Sequence, residues 1–253
     1  TRIPFGKLIK KCLNFFISYS FDFVIFQNQS NLDYCSNLNF LKLKNKKVIM
    51  GSGISENIIF TANQSNFVNN KEYFLYASRV QLNKGVLNFI KAAQLAKDIP
   101  SLVNYEWIII GDYNDSSKNN KKIKKSIEQT ENLHYLGYKE NPYPYILKSK
   151  AIILPSSYGE GFPRIFLEAG MLRVPIITLE SDYYNDVLFN DVNANLLKNG
   201  SPENIIKAAK EIINSEYSRK ITENFFNDVN SKYKLAKIVE KYCEVYQFYF
   251  KNL

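Results

Sequence analysis

The chain has 253 residues, of which 45% are hydrophobic and 23% charged, and a formal charge of +9. Its length suits one large core or one domain with part of another, and its composition excludes a disordered tail. No apolar run approaches the ~20 residues needed to span a bilayer, and three scattered cysteines, Cys12, Cys35 and Cys243, lack metal-ligand spacing and suit a reducing cytoplasm.

In chain order, residues 5–18 repeat apolar groups at helical spacing, with Lys7, Lys10 and Lys11 on the polar side. The apolar stretch is too short and lacks the cleavage pattern of a signal peptide. The chain begins with Thr, which reads as a fragment or a record lacking its true start. FDFVIFQN, residues 21–28, is rich in β-branched and aromatic residues and predicts a buried strand, followed by a helical stretch. KKVIMGSG, residues 46–53, predicts a second strand with a glycine-punctuated exit, and EYFLYASR, residues 72–79, a third.

In the segment that follows, Val86, Phe89, Ile90 and Ala93 share one helical face, and Pro100 closes the helix. EWIIIGD, residues 106–112, predicts a near-continuous apolar strand, and the lysine-rich run at 118–125 a solvated helix face. A short strand at 132–138, a brief helix at 142–150 and strands at 151–157 and 174–181 come next, then helices to the end. One of these, residues 228–248, is amphipathic, with apolar surface suited to packing on the N-terminal piece.

Strands without period-2 alternation, each followed by a helix, predict a Rossmann-like doubly wound α/β fold with a parallel sheet. We place that domain at residues 46–214. Residues 1–45 then hold the remnant of a preceding domain, and 215–253 form C-terminal helices that pack back on it.

Open parallel sheets bind ligands beyond the carboxyl ends of their strands. Arg79 ends one strand and Lys84 precedes Gly85 at a helix start, so the pair suits a diphosphate. GSGISE, residues 51–56 and including Gly53, matches half of a dinucleotide fingerprint, and no P-loop occurs. Gly111 marks a tight strand exit. YGEGFPRIFLEAG, residues 158–170, sets Glu160 and Glu168 around a Gly-Phe-Pro turn, with Pro163 at the first helical position. The two carboxylates stand about 12 Å apart if the helix holds throughout, too far for a glycosidase pair. The one histidine, His134, predicts a hydrogen-bonded structural role. The basic balance favours anionic partners such as nucleotides, sugar phosphates or a membrane surface. No RNA motif, zinc finger or helix-turn-helix accompanies it, which argues against nucleic acid.

Together the run "YASRVQLNKG … WIIIGD … LHYLGYKE … ILPSSYGEGFPRIFLEAGMLRVPIIT" resembles the C-terminal, donor-binding half of retaining GT-B glycosyltransferases of the family 4 type, the glycosyl transferases group 1. The resemblance covers roughly residues 46–214 and rests on the order and spacing of four motifs. It implies a nucleotide-diphosphate sugar as donor, transfer to a glycan or lipid-linked acceptor in surface polysaccharide synthesis, and no metal or other cofactor. By the same resemblance Arg79 and Lys84 hold the diphosphate, and Glu168 the ribose hydroxyls. Glu160, with backbone groups of Gly161, Phe162 and Pro163, contacts the transferred sugar; Gly53 joins the donor site, and the loop at Tyr138 lies against the base. Such an enzyme is expected in the cytoplasm, with peripheral contact at the inner face of the membrane.

The sequence departs from the family pattern at three places: Ser78-Arg79 replaces Gly-Arg, Arg173 replaces a glycine, and ESDYYND replaces a Gly-rich loop. With most of an acceptor domain absent from these residues, the chain alone is expected to be poorly active. Two alternatives are a non-catalytic nucleotide-sugar-binding module and a GT-B-type sugar-nucleotide epimerase.

Overall fold

The computed structural model describes residues 12, 15–16, 21, 23–37, 46–64, 67–113, 118–159 and 161–251. The helix expected over residues 5–18 falls almost entirely outside them.

Six parallel strands form the main sheet: β3 (Tyr73–Ala77), β4 (Glu106–Ile110), β5 (Leu133–Tyr135), β6 (Ala151–Leu154), β7 (Ile176–Leu179) and β8 (Asn195–Leu197). Their spatial order is β5-β4-β3-β6-β7-β8. The chain therefore winds outward one way from β3 and the other way from β6. That reversal is the switch point at which open α/β sheets bind ligands. The doubly wound fold expected from the apolar strands is present. β3 and β6 are buried along nearly their whole length because helices cover both faces. Phe74 on β3 and Phe89 both pack on Trp107, with ring centroids 5.1 and 5.0 Å away.

Helix α3 (Val86–Ala96) buries Val86, Phe89, Ile90 and Ala93, the face its spacing predicted. It ends at Ala96 rather than running on to Pro100. β8 was not anticipated. It has three residues, NLL, and its buried Asn195 donates to Glu211 Oε2 at 2.7 Å and to the Tyr217 hydroxyl at 3.0 Å. A strand that buries a satisfied amide lacks the apolar run by which strands are read.

Two further strands stand apart. β1 (Val24–Phe26) pairs in parallel with β2 (Lys46–Val48), and neither joins the main sheet. The sheet expected from residue 46 thus begins at Tyr73. β1 is half-buried, not buried, because only a second short strand flanks it. After β1 comes helix α1 (Gln29–Asn37). After β2, the linker leads to α2 (Asn57–Asn63).

The C-terminal stretch is two helices, α8 (Ser215–Lys232) and α9 (Leu235–Lys251), and not one over 228–248. The break has a partner. Ile54 N–H donates to Tyr233 O at 2.9 Å, and Leu235 N–H donates to Ile54 O at 2.8 Å. The linker takes backbone groups that a continuous helix would have used internally. Beyond the break, Val245, Tyr246 and Tyr249 of α9 line a cleft with Phe23 and Ile25, and Glu244 pairs with Lys47 at 3.0 Å.

Candidate functional site

The site is built where β3 and β6 part. After β3 the chain passes Ser78 and Arg79, makes a 3-10 turn (Leu82–Lys84) and enters α3 through Gly85 at φ 76°. A methyl group on Gly85 would run into the Pro155 carbonyl and stand 2.7 Å from Pro155 Cγ. Glycine is therefore required twice, for the left-handed backbone and for the close approach of the segment after β6. Gly111, after β4, is fitted in the same way against the Ser78 carbonyl. Ser157 N–H donates to Asn83 O at 3.0 Å, which ties the two loops together.

Lys84 is only 2% exposed, and its ammonium lies 4.6 Å from the centre of the Tyr158 ring. Arg79 is exposed and lines a cleft of about 430 Å³ with Asn83, Asn119, Asn120 and Tyr158. Tyr158 thus shares the cleft wall with Arg79 and sets its ring against the Lys84 ammonium. Tyr158 carries no signal of its own in the sequence beyond its place beside the paired glutamates.

The second half of the site is helix α6 (Arg164–Met171). Pro163 is its cap, with ψ 127°, and not its first helical residue as expected, because the extended backbone turns helical only at Arg164. Glu168 lies one turn in and is buried. Its Oε1 accepts from Arg164 Nε at 3.1 Å. Burial pushes the Glu168 carboxyl above its usual range, against the opposing pull of the Arg164 guanidinium. Glu160 lies outside the described residues. Phe162 is buried by its side chain, stacking on Tyr233 at 6.2 Å and meeting Phe166 edge-on at 5.8 Å.

The remaining expected residues are spread more widely. Tyr138 is exposed on the loop after β5, beyond Gly137 at φ 71°. Gly53, at φ 73°, is buried against α9, where a methyl group would meet Leu235 Cα at 3.0 Å. His134 Nε2 faces Glu106 Oε1 at 3.5 Å at the start of β4. Residues not anticipated flank the Gly-Phe-Pro turn. A methyl group on Gly159 would meet the Tyr183 hydroxyl at 2.6 Å, and one on Gly161 would meet Gln27 Oε1 at 3.3 Å. Among the described residues no cluster of histidine, cysteine and carboxylate side chains suited to a metal ion occurs, and no helix is long and apolar enough to cross a membrane.

Residues 57–227 match the family model for glycosyl transferases group 1. The chain is 22% identical over 223 residues to the capsular polysaccharide biosynthesis glycosyltransferase CapM of Staphylococcus aureus, covering 84% of this chain and 58% of that protein. It is 23% identical over 180 residues to the UDP-Gal:alpha-D-GlcNAc-diphosphoundecaprenol alpha-1,3-galactosyltransferase of Escherichia coli, covering 70% and 46%. The chain therefore spans about half the length of these relatives. Among solved structures, Anabaena Alr3699/HepE in complex with UDP superposes with a TM-score of 0.80 at 18% identity, over 94% of this chain and 67% of that one. A glycosyltransferase from Rickettsia africae ESF-5 also gives 0.80, at 17% identity, over 100% and 69%. At these identities the structural likeness establishes the shared fold.

Proposed function

Because the chain belongs to the glycosyl transferases group 1 family, we propose that it carries the donor-binding half of a retaining GT-B sugar transferase, which moves a sugar from a nucleotide diphosphate to a glycan or lipid-linked acceptor. One observation carries this reading. Among the described residues the charged side chains that are buried are Lys84 and Glu168, and each follows a strand that flanks the switch point. A buried cation and a buried carboxylate at a ligand edge suit a ligand with both anionic and hydroxyl groups.

The chemistry follows from those types. As the bond between the sugar carbon and the diphosphate breaks, negative charge grows on the leaving oxygen. Lys84, shielded from water, supplies a point charge, and Arg79 a two-pronged donor at the cleft wall. The backbone N–H groups of Gly161 and Phe162, ahead of the α6 N-terminus, favour the same charge. Glu168 accepts from the ribose hydroxyls while keeping Arg164, since a carboxylate offers about four acceptor sites. In this proposal Glu160 accepts from the transferred sugar, the Tyr138 loop borders the base, and no metal is needed. The acceptor hydroxyl takes the place of the diphosphate on the same face of the sugar. The acceptor is met from the side of β1 and β2, and the +9 charge favours an anionic membrane surface where a lipid-linked acceptor would sit.

Calorimetric titration of the chain with UDP tests the reading. Arg79→Ala, Lys84→Met and Glu168→Ala should each weaken binding about tenfold or more, the scale of a charge-assisted hydrogen bond. Unchanged affinity in Arg79→Ala and Glu168→Ala alike would sink the assignment.

A further inference from the structure

Asn28 ends the loop between β1 and α1 and is 1% exposed. Its Oδ1 accepts the Asn31 N–H at 2.7 Å, as a helix cap does. That bond fixes which end of the amide is which, since a flipped amide would set its own N–H groups against the Asn31 N–H. Nδ2 is left as a buried donor with no hydrogen-bond partner. Such a donor costs free energy unless something accepts from it.

The direction of that donor is informative. A side chain at Gly161 would enter a space bounded by Gln27 Oε1 at 3.3 Å and Asn28 Nδ2 at 3.8 Å. The space has one hydrogen-bond acceptor and one donor on its wall, and the residue that would fill it is glycine. A hydroxyl is the small group that both donates and accepts.

We propose that Gln27, Asn28 and Gly161 form a slot for one hydroxyl of the transferred sugar, so that the donor's sugar is read partly from the side of β1. This rests on the nucleotide-sugar reading above and adds residues that the motif around Glu160 and Glu168 does not contain. The hydroxyl accepts from Asn28 Nδ2 and donates to Gln27 Oε1. The nucleotide itself does not touch the side chains of Gln27 and Asn28. Asn28 therefore contributes to the difference between nucleotide-sugar and nucleotide, and not to nucleotide affinity.

The test compares UDP with UDP-glucose and UDP-galactose by calorimetry on the intact chain, reading the ratio of sugar-bearing to bare nucleotide affinity. Asn28→Ser keeps a cap oxygen and removes the amide donor. It should lower the ratio about tenfold for the better of the two sugars and leave UDP affinity within about twofold. Gly161→Ala fills the slot with a methyl group and should lower the same ratio. It serves as the second reading should Asn28→Ser unfold. An unmodified chain with no sugar increment, or a ratio unchanged in both variants, overturns the slot while UDP binding still supports the donor site. Failure of the unmodified chain to bind UDP overturns both.

Discussion

Arg173 tests whether the departure from a glycine is a strained position or a tolerated one. Helix α6 closes with Arg173 N–H donating to Gly170 O at 3.2 Å and Val174 N–H to Ala169 O at 2.9 Å. This pair of bonds is the Schellman turn, whose residue after the cap takes a left-handed conformation and is usually glycine. Arg173 sits there at φ 54°, which costs a side-chain-bearing residue about 1–2 kcal/mol. Two contacts offset the strain. Its guanidinium lies 3.5 Å from the centre of the Phe226 ring, worth about 0.5–1 kcal/mol. Its Nε also meets Glu223 Oε1 at 3.1 Å, but both side chains are about half exposed, so that pair adds roughly 0–1 kcal/mol. Arg173→Gly therefore relieves the strain and loses the contacts, and should stay within about 1 kcal/mol of the parent. Arg173→Ala keeps the strain and loses the contacts, and should be destabilised by about 1 kcal/mol. The informative quantity is the gap between the variants. Glycine should be the more stable by about 1 kcal/mol, the reverse of the order inside a helix. Urea unfolding at equal m-values measures it. Alanine equal to or more stable than glycine would refute the strained-turn reasoning.

Two more outcomes follow from the same geometry. Gly85→Ala combines a left-handed backbone with a clash against Pro155; it should cost about 2–4 kcal/mol in urea unfolding, and parental stability would contradict the close approach. The Glu168 carboxyl holds its proton more tightly in the folded chain than in the unfolded one. Stability should therefore fall as pH rises from about 4 through the raised value and level off above it. Glu168→Gln should flatten that profile, and parallel pH profiles would show that burial does not perturb the group.

The main sheet was legible because its strands are short apolar runs followed by amphipathic helices, and EWIII and AIIL have no alternative on the surface. What escaped depended on contacts between distant parts of the chain. β8 is polar at a buried position, and its Asn195 is paid for only by Glu211 and Tyr217. The break at Tyr233 depends on Ile54, far away in sequence. β2 reads as an ordinary strand, and nothing local says that its partner is β1. The site divides along the same line. Arg79, Lys84 and Glu168 could be singled out as candidates because each sits at a fixed offset from a strand end, glycine or proline. Tyr158 over Lys84, and Gln27 and Asn28 beside Gly161, are juxtapositions that only folding creates.

Most of the buried polar groups have ordinary structural partners. Thr178 donates to Leu154 O at 2.9 Å, Ser149 to Ile146 O at 2.8 Å, Thr130 to Ser126 O at 2.7 Å and Thr222 to Ser218 O at 2.6 Å. Asn193 donates to Val187 O at 2.8 Å. With Asn195, these groups are closed by the chain's own backbone and side chains, and nothing further is needed to explain their burial. Asn28, Lys84 and Glu168 have a place in the fold in common. Asn28 retains an unpaired donor, Lys84 carries a charge under a tyrosine ring, and Glu168 is an ionisable group held by a single guanidinium. Asn28 borders Gly161, Lys84 lies under Tyr158 and Glu168 is in the helix that follows, so all three adjoin the one segment after β6. A buried amide donor, a buried cation and a buried carboxylate around one segment at the switch point are what the proposed donor site calls for.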